Sequence, residues 1–179
     1  MRRRLRWLPV LLMIVLGSTQ AATRDPGEFF FDQGLGNFNE ELEIARDEGK
    51  KGVLIMFEMD ECPFCHRMKR RVLNQTVVQD YFKDHFLIYT VDIEGDVEIA
   101  DFQGRTMKEK DFAFKVHKVR ATPVFGFFDL DGKLMTRFTG ATNDAREFLW
   151  LGEFVVNDHY KTTNFSRYKR QKKKELRQQ

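Results

Sequence analysis

The feature that most constrains this chain is a handover. The apolar run 53–59 has no helical period and passes, through Asp60 and Glu61, into Cys62-Pro63-Phe64-Cys65-His66, beyond which Cys65, Met68 and Val72 fall on one helical face. A short unbroken apolar run of this kind reads as a strand buried on both sides. The two cysteines therefore stand where a buried strand gives way to a helix. Pro63 suits the first helical position, because it has no amide hydrogen to leave unpaired there.

The same residues permit several chemistries. In a redox pair, Cys62 stands at the open N-terminus of the helix, where unpaired amides and the helix dipole favour a thiolate. Cys65, one turn on and more buried, closes the internal disulfide and resolves the mixed disulfide that Cys62 forms with a substrate. Cys62 to His66 also satisfies the Cys-x-x-Cys-His pattern of covalent haem attachment, with Met107 or Met135 as an axial ligand. The apolar strand ahead of the motif and the hairpin downstream weigh against a helical haem domain. Zinc needs two further soft ligands, and His66, His85, His117 and His159 are scattered without ligand spacing. A purely stabilising disulfide is the plain alternative, although so short a loop gains little from closure and a helix start favours reactivity. On the redox reading no cofactor is expected beyond the disulfide itself.

The rest of the chain supplies further elements. Pro26, Gly27, Gly34 and Gly36 surround Phe29-Phe30-Phe31 in an irregular lead-in over 22–36, whose aromatics are expected to pack on the domain. Phe38, Leu42 and Ala45 recur at helical spacing, with Asn37 or Asn39 to cap the start and Gly49 to end the run. Val77, Val78, Tyr81 and Phe82 mark another helix, 86–93 a strand, and Gln103-Gly104 a turn in an extra hairpin over 96–105. Thr106 and Glu109 match a capping box, which predicts a helix start there, with Phe112 and Val116 on one face and His117, Lys118 and Arg120 at its end. The runs 124–130 and 133–139 around Asp131-Gly132 are the strongest hairpin signal. A last helix over 143–157 carries Phe148, Leu151 and Val155 on one face. Phe86, Tyr89, Phe125, Phe127 and Phe128 read as core rather than as a platform for bases. This order, without repeats, is an α/β chain of one domain, and 179 residues are enough for a hydrophobic core without a metal or a disulfide framework.

The ends differ from the middle. Residues 1–21 hold Arg2, Arg3, Arg4 and Arg6, then the apolar run 7–16 and small residues up to Ala21. The run is well short of the roughly 20 residues of a bilayer span, so the segment reads as a cleaved secretory signal peptide, with an uncleaved membrane anchor as the alternative. Of the formal charge of +3, the leader supplies +4 and the basic tail over 161–179 supplies +7, which leaves −8 for residues 22–160. The tail is expected to be a solvated or frayed helical extension, with contact to anionic lipid or an acidic partner as the alternative. Nucleic-acid binding is not expected of an exported protein with an acidic core.

The strand 53–59, Cys62-Pro63-Phe64-Cys65 at a helix start, and Thr122-Pro123 ahead of the hairpin together resemble the thioredoxin superfamily over roughly 38–156. Within it, 43–51, 62–69 and 121–140 are similar to exported bacterial thioredoxin-related proteins, the SoxW-type group among them. The resemblance implies a thioredoxin-like fold over 37–160, with a central mixed β-sheet flanked by helices, and catalytic roles for Cys62 and Cys65. It further implies a cis Thr122-Pro123 bond that brings its loop against the disulfide and leaves Thr122 backbone groups free to pair with an extended substrate, with Pro63 and Phe64 shaping the site.

The chain departs from that pattern at two places. Glu61 replaces the usual tryptophan before the first cysteine, and Met56 replaces a buried acid. Proton transfer at Cys65 therefore falls to Glu58, whose alternative is a solvent-facing carboxylate at the sheet end. Glu58, Asp60 and Glu61 oppose a Cys62 thiolate, while His66, Arg67 and Lys69 compensate. A less stabilised thiolate makes a less oxidising disulfide, and the Pro-Phe pair, similar to the Pro-Tyr of glutaredoxins, points to an intermediate potential. The expected function is that of a monomeric periplasmic thiol-disulfide oxidoreductase that reduces disulfides of exported proteins, with electrons from a membrane donor protein. The rival is a thioredoxin-fold binding or assembly module with little turnover.

Overall fold

The computed structural model describes residues 22–178, so the leader expected over 1–21 lies outside the described residues. The apolar run forms β1 (Gly52–Glu58), buried as far as Phe57. It pairs in parallel with β2 (Phe86–Asp92) and antiparallel with β5 (Val124–Phe128). β5 pairs antiparallel with β6 (Leu134–Thr139), which gives the mixed order β2-β1-β5-β6. Successive side chains of a strand point to opposite faces, so this one sheet organises two cores. Leu54, Met56, Ile88, Phe125 and Phe127 face the first, covered by α3 (Pro63–Arg71), α4 (Thr76–His85) and α6 (Ala145–Val156). Val53, Ile55, Phe57, Leu87 and Val124 face the second, covered by α2 (Phe38–Asp47). Cover on both faces explains why β1 up to Phe57 and β5 are apolar rather than alternating.

Local chemistry sets the helix ends. The Asn37 carboxamide oxygen accepts the Glu40 amide at 3.4 Å to start α2, and Gly49, at φ +66°, ends it. Asp144 accepts the Glu147 amide at 2.8 Å to start α6. Gly52 is required by close approach: its φ is +155°, and a Cβ there would lie 1.9 Å from the Phe128 carbonyl oxygen.

Three segments differ from the sequence reading. The lead-in is more ordered than expected: α1 (Pro26–Phe29) begins on an Asp25 cap, and Phe30 and Phe31 are buried while Phe29 stays exposed. The Phe30 ring lies 6.0 Å from that of Phe82 and 6.3 Å from that of Phe148. Asp32 then closes the outer edge of β2, its amide donating to the Ile88 carbonyl at 2.7 Å and its carboxylate accepting the Ile88 amide at 2.8 Å.

Thr106 caps no helix. It opens β4 (Thr106–Lys108), the partner of β3 (Glu98–Ala100) in the extra hairpin. Buried Asp101 draws the amides of Gln103 and Arg105 and the Arg105 guanidinium into a tight turn, which leaves Thr106 as the ladder partner of Ala100. The short α5 (Glu109–Asp111) follows and continues as a π-helical turn over Phe112–Val116, with Phe112 buried and Val116 exposed.

The tail is docked rather than frayed. α7 (Phe165–Leu176), capped by Asn164, packs Phe165 5.6 Å from Phe154 and 5.5 Å from Phe138, measured between ring centroids. It buries Tyr168, and it pairs Lys169 and Lys172 with Glu147 and Glu153 of α6 at 2.7 and 2.8 Å.

If the lead-in is a structural part, Phe30→Ala will cost about 3–5 kcal/mol of stability, read as a lower urea midpoint. Gly52→Ala will cost at least about 2 kcal/mol by forcing the β1–β5 backbones apart.

Candidate active site

β1 ends at Glu58, and four residues later Cys62 caps α3, with Pro63 at the first helical position as the spacing predicts. The Cys62 sulfur accepts the Cys65 amide at 3.0 Å, so one of the free donors of the helix start is aimed at that atom. Cys62 and Cys65 form a disulfide, with Cα atoms 5.2 Å apart. Cys62 stands at the helix start as expected, but the difference in burial between the two cysteines is slight: they are 2% and 1% exposed. Both belong to the packed cluster that contains Phe31, Met56 and Met68. The exposed part of the motif is instead Pro63 and Phe64, the latter 57% exposed with the Arg67 guanidinium 5.5 Å from its ring centre.

The second loop arrives at the same end of the sheet. Thr122-Pro123 is cis. Phe57 pairs with Val124, and antiparallel pairing then sets buried Pro123 level with Glu58 at the end of β1. The Pro123 carbonyl accepts the Gly140 amide at 2.8 Å, whereas neither backbone group of Thr122 has a backbone partner among the described residues.

Glu58 is half-buried and ion-paired. Its carboxylate pairs with the Lys69 ammonium at 2.7 Å, and that ammonium also lies 5.6 Å from the centre of the Phe31 ring. Lys69 is four residues beyond Cys65 and so shares its helical face. Sequence reasoning counted Lys69 only as compensating charge, and its i+4 relation to Cys65 was the available signal. Met56, where a buried acid would stand, is fully enclosed. Asp60 and Glu61 are exposed, and the exposed His66 ring has Nε2 2.9 Å from the Asp60 carbonyl oxygen.

His117, five residues before Thr122, was assigned no role by the sequence. Its ring centroid lies 4.4 Å from that of Phe112, 4.9 Å from that of Phe128 and 5.8 Å from that of Phe57. Burial pushes its pKa down to about 4, with Asp101 opposing the shift and Arg137 adding to it. Arg137 also donates to the His117 carbonyl at 2.9 Å, tying β6 to the segment that leads into the proline loop.

A Cys-x-x-Cys pair capping the helix that follows a central strand, beside a cis-proline loop in a mixed, helix-flanked sheet, defines a thioredoxin-like protein. A family model described as a thioredoxin-like domain matches residues 38–155, and the chain belongs to that family. Three solved structures are similar in fold. A putative disulphide-isomerase from Bacteroides thetaiotaomicron is 26% identical with a TM-score of 0.57, covering 77% of this chain and 97% of that one. A thioredoxin-fold protein from Helicobacter pylori is 24% identical with a TM-score of 0.55, covering 70% and 90%. A thioredoxin from Thermus thermophilus is 22% identical with a TM-score of 0.52, covering 67% and 84%. No curated protein matches the chain.

His117 is held neutral in the folded state, so its contribution to stability is complete above its ordinary value near 6.5 and is lost as pH falls toward 4. Denaturant titrations at pH 7 and pH 5 will show wild type losing more stability on acidification than His117→Phe does. Parallel losses would contradict the assignment.

Proposed function

We propose that this chain is a thiol-disulfide oxidoreductase that reduces disulfides of exported proteins in the periplasm. The observation that carries the reading is the Cys62 sulfur at the cap of α3, receiving the Cys65 amide at the end of β1 toward which the Thr122-Pro123 loop also runs. In the reduced protein, the same amide and the helix dipole favour a Cys62 thiolate. That thiolate attacks a substrate disulfide, forming a mixed disulfide and releasing one substrate thiolate. Cys65 then gives up its proton, attacks the Cys62 sulfur, and releases the second substrate thiolate as the internal disulfide forms. Two electrons pass to the substrate.

Glu58 is the group proposed to take the Cys65 proton, with Lys69 holding its carboxylate on that helical face. Thr122 pairs with the extended substrate, and Pro63, Phe64 and Pro123 form the walls. The enclosed sulfurs restrict attack to a segment drawn along this edge. The Bacteroides relative, described as a putative disulphide-isomerase, supports thiol-disulfide exchange. The acids at the site support the reducing direction, and the arginine-led apolar leader supports export. The similarity to SoxW-type proteins supports a membrane protein as electron donor. The binding-module reading draws on one observation, the 2% exposure of Cys62.

Reduction of insulin separates the two. The oxidoreductase reading expects turnover by wild type and none by Cys62→Ser, whereas equal, negligible rates leave the binding module. Cys65→Ala will accumulate mixed disulfides. Glu58→Gln will slow the second step about tenfold or more while leaving the first intact, as expected of lost general-base assistance. A potential close to about −120 mV, rather than toward the roughly −270 mV of thioredoxin, would refute the reducing direction.

A further inference from the structure

The helix α7 carries more charge than its docking uses. Phe165, Tyr168 and Lys172 mark the side turned to the domain, where Lys169 and Lys172 meet Glu147 and Glu153. At about 100° per residue, Arg167, Arg170, Lys173, Lys174 and Arg177 fall within an arc of about 120° on the opposite side. All five are exposed, and among the described residues none is paired with a carboxylate, in contrast to Lys108 and Lys110, which share Asp96, or Lys51 and Lys161, which share Asp158. No acid interrupts the arc, since Glu175 lies well off it. Arg167, Arg170, Lys174 and Arg177 form a row about 15 Å long.

Within the molecule this stripe is a cost. Like charges three and four residues apart destabilise a helix, and α7 keeps its form through its aromatic contacts and two ion pairs with α6. The compensating charge has to come from outside. We propose that the stripe docks the protein on an anionic lipid surface, with headgroup phosphates as its ligands. The stripe is straight and one-sided, as contact with a plane requires. A plane also touches α7 without meeting the acidic domain of −8 behind it, whereas a flexible polyanion could not avoid that domain. The arc holds no aromatic side chain on which nucleic-acid bases could stack. Leu176, half-exposed at 44%, lies off the stripe, so attachment is electrostatic adsorption rather than insertion. The inference rests on α7 alone and stands or falls independently of the redox reading.

Vesicle co-sedimentation tests it, using the protein as recovered from its producing cells and variants identical outside α7, so that any contribution of residues 1–21 cancels. The probes are phosphatidylcholine vesicles with and without about one-third phosphatidylglycerol. Each Lys or Arg near such a surface contributes about fivefold in affinity. Wild type is expected to bind the anionic vesicles alone and to lose affinity steeply between about 50 and 200 mM salt. Arg170→Gln with Lys174→Gln should weaken binding about 25-fold, and glutamine at all five positions on the order of a thousandfold. A variant exchanging Arg for Lys and Lys for Arg along the stripe should retain binding. Far-UV circular dichroism and the denaturant midpoint verify folding of each variant. Equal binding to both vesicle types, or undiminished binding by the five-glutamine variant, overturns the proposal. So does tighter binding of wild type to polyglutamate or duplex RNA than to the anionic vesicles, which would assign the stripe to an acidic protein or a nucleic acid.

Discussion

A strand that is paired on both edges and covered on both faces must finish by turning out of its sheet, and the layout of this molecule follows from where β1 does so. The Glu58 carbonyl still accepts the Ile93 amide at 2.9 Å. Five residues later the backbone is helical, and the Cys65 amide of its first turn is aimed at the Cys62 sulfur. Because β5 runs antiparallel to β1, the loop that enters β5 is carried to this same end. That disulfide and proline loop lie at one end of the sheet is thus a product of strand direction and register. It needs no attraction between the two loops.

Charge inside the domain is managed by assigning each buried acid a partner. Burial raises the Glu41 carboxyl above its ordinary value, and its bond with the Tyr89 hydroxyl works against that shift. Burial would also raise Asp101, but the Arg105 guanidinium and the amides of Arg105 and Gln103 together hold it below the usual carboxylate value. Glu147 takes Lys169 and the Asn143 carboxamide. With these acids accounted for, the field at the disulfide is set by the Glu58–Lys69 pair and by exposed groups that water screens.

What could be read in the sequence was what local rules decide. The run 53–59, the Pro63 helix start and the Asp131-Gly132 hairpin each carry their own signal, and each lies where expected. All but the first of the failures share a cause in distant contact. Thr106 and Glu109 satisfy a capping pattern, yet Asp101 drew the chain into a tighter turn first. Phe30 and Phe31 have no period of their own, and their burial depends on α4 and α6, far along the chain. The enclosure of Cys62 likewise comes from cluster neighbours such as Phe31. α7 was legible as a helix, but its docking needed Glu147 and Glu153 on a helix whose orientation no local pattern fixes.

The lead-in has a consequence for how the chain reaches its final form. Arg24 bonds the Asn74 carbonyl, Asp32 waits for Ile88, and Phe30 finishes against Phe148. The part of the domain made first is therefore seated on parts made much later, and closing such long loops comes late because their entropy is lost before the contacts repay it. Until Phe148 is available, Phe30 remains without its full burial site, and until the lead-in folds back the outer edge of β2 stays unpaired. A chain caught at that moment offers both an aromatic patch and an open strand to its neighbours, so the time between synthesis of Phe30 and arrival of α6 is when this protein is most exposed to aggregation.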